Sequence, residues 1–260
     1  MNSSPNEIPK GSKRIRLDWA IKLLLTPKRF FMDSGPFTGS AWFTPLLILS
    51  LVIIANSILV GSIKQQATST GELPLPPDFE YYSPEDQARY MQAAQSTQSF
   101  AFVYVLPALS SLAGIWIGWL IVGGMLHLVS TLMGGRGDMG MAMNIVAWSN
   151  LPYAVRGIVR FIFMLITSRL IAKPGISGFS PVGDTPWAIF AGIMMALIDI
   201  YLIWQIILMV HGLKRTAGLT ASKSTIGVMI IIGIFLLIQV GLGFAIDKIS
   251  SLTVVRPFFF

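Results

Sequence analysis

Cysteine is missing altogether, and with it go disulfides, thiol nucleophiles and thiolate metal sites. Charge is the second shortage: Asp, Glu, Lys and Arg make up only 12% of the 260 residues, against about 25% in a soluble domain. So little charge cannot clothe a chain that is 53% hydrophobic, with mean hydropathy +0.68. A soluble enzyme, a disordered regulator and a disulfide scaffold are therefore excluded. Catalytic signatures are absent too: there is no HExxH helix, no GxSxG elbow and no Walker-type loop. Ser110-Ser111 has no basic partner at a matching depth, so no nucleophile and base can be paired. Neither enzyme activity nor a cofactor or metal is expected. The net charge of +7 does not point to nucleic acid, because the basic residues are spread over loops and not gathered in one module.

What is present is apolar length. Five runs stand out, at about residues 42–62, 100–132, 145–171, 187–210 and 226–246, each with the roughly 20 residues that a hydrocarbon core of about 30 Å requires. No alternating barrel strands are visible, and in lipid the backbone must satisfy itself, so the runs are helices. The fold class is an all-α polytopic membrane bundle of five transmembrane helices. The second run is too long for one straight crossing and must tilt or begin in water. The first run starts only after about 41 residues with no A-x-A site behind it, which reads as an uncleaved anchor and not a signal peptide.

Lysine and arginine set the orientation. Residues 1–41 hold seven of them, and the loop 63–99 holds two against five acids. With the N-terminus in the cytoplasm, inner segments collect eleven cations and outer ones five. The chain thus divides into a basic arm at 1–41, a membrane domain at 42–246 with an external loop at 63–99, and a tail at 247–260. Within the loop, Ser83-Pro84-Glu85-Asp86 predicts a helix start, and that helix is expected to run on into the second span.

The arm contains RIRLDWAIKLLLTPKRFF. Leu17, Ala20, Ile21, Leu24 and Leu25 share one helical arc, which predicts a helix lying on the lipid surface, with partner docking as the alternative. Arg14, Arg16, Lys22, Lys28 and Arg29 supply the cations. Pro27 is expected to end that helix and leave Lys28-Arg29-Phe30-Phe31 in the headgroup layer.

Ionisable residues inside spans are few: His127, Arg156, Arg160 and Asp199, with Arg169 and His211 near span ends. Arg156 and Arg160 lie four apart, on one helix face. Arg156 and Asp199 fall at similar depth on consecutive antiparallel spans, so an intramembrane pair is expected, because either charge alone in lipid is costly. It would pin two helices, or form a substrate or ion site at the midplane. If the third span began only after Pro152, Arg156 would instead snorkel to the headgroups. His127, among Leu, Val and Met, is expected to hydrogen-bond a neighbouring helix. Gly134, Gly135, Gly137 and Gly140 predict a tight hairpin, and Asn150-Leu151-Pro152 predicts a helix break.

These landmarks carry a family resemblance. TPKRFF before the first span, GGMLHLVSTLMGGRGDM closing the second, WSNLPYAV in the third and LIWQIILMVHGLKRTAGL closing the fourth resemble the bacterial Yip1-family membrane domain over roughly residues 22–246. The resemblance implies a five-span bundle with a cytoplasmic N-terminus and no established active site. Eukaryotic relatives bind small GTPases in vesicle trafficking, but the arm here is too short to imply that role; some bacterial members look like accessory subunits of ABC-type exporters. The expected function is thus a non-enzymatic membrane scaffold or adaptor, accessory to an export complex. Small-residue faces at Gly114-x-x-x-Gly118 and Gly123-Gly124 fit that expectation. The alternative is a small-solute or ion transporter using Arg156, Arg160 and Asp199. Expected partners are the lipid bilayer and a membrane protein or second copy, in the inner (plasma) membrane of a bacterial cell.

Overall fold

The computed structural model describes residues 15–33, 41–69, 79–183 and 185–255. Among them no strand occurs, and ten α-helices follow in order. They are α1 (Leu17–Leu25), α2 (Pro27–Asp33), α3 (Phe43–Ser69), α4 (Pro84–Thr97), α5 (Leu106–Leu132), α6 (Met139–Ser149), α7 (Leu151–Thr167), α8 (Pro186–Leu197), α9 (Ile200–Thr216) and α10 (Ala221–Val255). Four stretches are long and apolar enough to cross a bilayer unaided: Phe43–Gln66, Ala101–Leu132, Met139–Thr167 and Ala221–Ile246. The pair α8–α9 makes a fifth, bent by 59° at its break.

Several boundaries differ from the sequence reading, each for a local reason. Ser83 does open α4: its Oγ accepts the Asp86 N–H and donates to Asp86 Oδ2 at 2.7 Å, a reciprocal N-terminal cap. The helix stops at Thr97, however, and does not run into the second span. That span enters through a π-helical turn at Ala101–Val105, where the Leu106 N–H reaches back to Ala101. Pro107, which has no N–H, follows directly. The third span starts at Met139, because Asp138 caps it by accepting the Met141 N–H at 2.7 Å. It continues past Asn150 to Thr167, so the helical stretch does not begin after Pro152.

The core is centred on α6, where every residue from 144 to 152 is buried. Trp148 is fully enclosed and shares its cluster with Leu126, Leu208, Met209 and Ile231. The arm docks onto this cluster. Trp19 and Phe30 both pack on the Trp148 ring, at 5.9 and 5.4 Å between centroids. Phe31 stands against Gly212 of α9. Phe30 and Phe31 are therefore core residues, only 2% and 5% exposed, and not headgroup anchors. Pro27 begins α2 at the same point where it ends α1, as a proline at a first helical position can. The apolar residues of α1 divide between two faces: Ala20 and Leu23 turn onto the bundle, whereas Leu17, Ile21 and Leu25 are exposed.

Candidate site: a polar cavity between two broken spans

The fourth span is broken at Ile198-Asp199, and the third is interrupted by a single residue, Asn150. Asn150 closes α6 and opens α7. In the fourth span, Ile198 and Asp199 are extended, and Asp199 Oδ1 accepts the N–H groups of Tyr201 and Leu202, each at 3.0 Å. Sequence reading ran one continuous helix through this point. An aspartate in an apolar helix competes for backbone donors, however, and its preferred place is the N-cap.

Two carbonyls exposed by the bend find a donor in the preceding loop. The Ile176 N–H lies 3.0 Å from Met195 O and 3.1 Å from Ile198 O. Gly175 permits this approach, with φ +62° and no room for a Cβ, which would sit 2.7 Å from three carbonyl oxygens.

Asp199 Oδ2 pairs with Arg156 Nε at 2.9 Å, and both side chains are largely buried, at 13% and 18% exposed. A second polar link lies beside the first. Tyr153 donates its hydroxyl hydrogen to Gln205 Oε1 at 2.9 Å, and Gln205 Nε2 donates to Asn150 Oδ1 at 2.6 Å. Asn150, Tyr153, Arg156 and Gln205 border a cavity of about 270 Å3, which Gly118 and Trp119 of α5 and Phe235, Leu236 and Gln239 of α10 also line. Irregular backbone at membrane depth is tolerated where it is buried in protein or lines a cavity.

Of the intramembrane charges, the fold brings Arg156 and Asp199 together. Arg160 is half-buried one turn further along α7 and makes no hydrogen bond or ion pair with the described residues. His127 forms no interhelical bond at its buried Nδ1. With Ser130 and Asp138 it borders a separate space of only about 10 Å3. Asn150 stands alone between the end of α6 at Ser149 and the start of α7 at Leu151, with Pro152 in the first turn of α7. In the arm, Arg16 lies 4.0 Å above the Trp19 ring and donates its backbone N–H to Thr44. Lys22 and Arg29 are exposed. Arg14 lies outside the described residues, as does the side chain of Lys28. Gly114 and Gly118 both border the cavity; Gly118 also faces Phe235 of α10, which a Cβ would meet at 3.2 Å, and Gly123 packs directly against Met143 of α6.

Tyr153, Gln205 and Gln239 were not anticipated. For Tyr153 the signal lay in spacing: it stands three residues from both Asn150 and Arg156, so it neighbours each on the helix surface; no such spacing marked Gln205 or Gln239.

A helical bundle with four to five crossings and an intramembrane polar core defines a multi-pass membrane protein. The family model of the Yip1 domain matches residues 21–243, and the chain belongs to that family. Comparison with curated proteins and with solved structures found no match.

Proposed function

We propose that this Yip1-domain protein binds a small polar solute within its bundle and carries it across the membrane. The cavity bordered by Arg156, Tyr153, Gln205 and Gln239 between the third span and the broken fourth carries this reading. Discontinuous spans that expose helix ends near mid-membrane are a recurring way to build a solute site, and a volume near the lower end of the ligand-pocket range suits a small molecule. The Arg156–Asp199 pair ties the third span to the bend of the fourth, so a solute that competes for either charge alters that tie. The N-terminus is taken as cytoplasmic, with the protein in a plasma membrane.

Purified protein in liposomes, tested for swelling with glycerol, choline and lactate, is expected to pass at least one of them faster than protein-free vesicles. Asp199→Asn should abolish that flux while keeping a residue able to cap α9. Flux indifferent to this change removes the pair from the mechanism. The competing scaffold reading draws on membership of the family. It would be favoured by a stoichiometric co-purifying exporter together with no flux for any of the three solutes.

A further inference from the structure

Resting on the solute-site reading above, we propose that the cavity is selective for a small anionic group, a carboxylate or a phosphate, received on the free edge of the Arg156 guanidinium. Arg156 is the one residue bordering the cavity that is charged at neutral pH; no acid borders it. Its counterion is already engaged through both oxygens. Asp199 Oδ1 holds two backbone N–H groups of α9 and Oδ2 holds Arg156. The guanidinium is not saturated. It carries five N–H donors, of which a carboxylate can take two in a fork, and among the described residues its only polar partner besides Asp199 is the Tyr153 ring, 6.0 Å away.

The surrounding groups strengthen the preference. Arg160 adds a second cation one turn along, so in the interior of these two spans, short of Lys214 and Arg215 in the last turn of α9, two arginines stand against one aspartate. A bound monoanion would balance them, and charge left unbalanced at this depth is costly. Gln239 reaches the cavity from α10 and makes no hydrogen bond with the described residues, which leaves its amide free to donate. The Tyr153 hydroxyl, by contrast, is spent on Gln205 and fixes that side chain. The anionic group can arrive on a free solute or on a lipid headgroup, and the test separates the two.

The full chain is placed in phosphatidylcholine nanodiscs and its melting followed by tryptophan fluorescence, to which Trp119 beside the cavity contributes. Probes are propionate, its near-isosteres propionamide and propylammonium, and inorganic phosphate, all at constant chloride. Propionate or phosphate, well above its Kd, is expected to raise Tm by about 2–4 °C, and the neutral and cationic isosteres are expected to leave it unchanged. Arg156→Gln should erase the shift. Because that variant leaves Asp199 without its partner, Gly114→Leu is the second test. Gly114 borders the cavity and a Cβ there meets nothing within 4 Å, so a leucine is added without a clash at its Cβ; it should narrow the cavity and erase the shift as well.

Propionamide or propylammonium acting as well as propionate overturns the anion selectivity and leaves the solute site standing. An anion shift that survives both substitutions overturns the proposal. A shift seen only when phosphatidylglycerol replaces phosphatidylcholine supports the anion site and overturns carriage of a free solute. No shift with any probe or lipid overturns both.

Discussion

Asp199 does two things with one carboxylate: it caps α9 through Oδ1 and neutralises Arg156 through Oδ2. The two contributions can be separated by substitution. Losing an N-cap costs about 0.5–2 kcal/mol, and removing one partner of a buried pair costs about 3–5 kcal/mol, because it strands the other charge. Asp199→Ala loses both. Asp199→Asn keeps a capping oxygen and should be less destabilising than Asp199→Ala by about 1 kcal/mol, measured by thermal unfolding in nanodiscs. Combining Asp199→Ala with Arg156→Met should recover part of the loss, since no charge is then left behind. A double variant as unstable as Asp199→Ala alone would show that the two charges are not coupled.

At the scale of elements, the bend between α8 and α9 holds because two neighbours supply what a broken helix loses. Asp199 caps α9, and Ile176 gives its N–H to the Met195 and Ile198 carbonyls at the corner, while Thr185 caps the far end of α8 by accepting the Ala188 N–H. Gly175→Ala attacks the support from Ile176 at a left-handed φ where a Cβ also collides with three backbone oxygens. It should destabilise the protein by more than the roughly 1 kcal/mol typical of an average substitution. Thr185→Ala, which removes only a cap, should cost about 1 kcal/mol. If both variants melt together with the wild type, the loop at 175–176 does not brace the bend. A similar economy operates at Gly157, where α3 and α7 approach closely and Asn56 donates its amide to the Gly157 carbonyl at 3.1 Å.

For the whole molecule, orientation rests on the cation count: arm and inner loops basic, external loop acidic. The absence of native cysteine makes this directly testable, since a single introduced thiol has no competitor. Glu85→Cys, on exposed α4, should react with a membrane-impermeant maleimide on intact cells. Lys214→Cys, exposed in the last turn of α9, should react only after permeabilisation. The opposite pattern would invert the molecule and put the arm outside. In the proposed orientation α1 sits at the inner surface, with Ala20 and Leu23 against the bundle and Leu17, Ile21 and Leu25 free to enter the acyl boundary.

By itself the sequence determined that the chain is a helical membrane bundle, roughly where its apolar segments run, and that Asn150-Leu151-Pro152 interrupts the third of them. Those properties follow from composition, segment length and missing N–H groups, which act locally or through the solvent. Arg156 and Asp199 could be placed at one depth by counting from span ends, because rise per residue is fixed along a helix. Tertiary structure alone decided the rest. Hydropathy reads Ile198-Asp199 as part of a continuous apolar run, and only the donor from Ile176 and the partner at Arg156 make a break there affordable. Phe30 and Phe31 read equally well as interface anchors or core residues until Trp148 is seen beneath them. Gln205, Tyr153 and Asn150 join into a single network across three helices whose rotation about their axes no local pattern specifies. Packing sets those rotations, and with them the cavity.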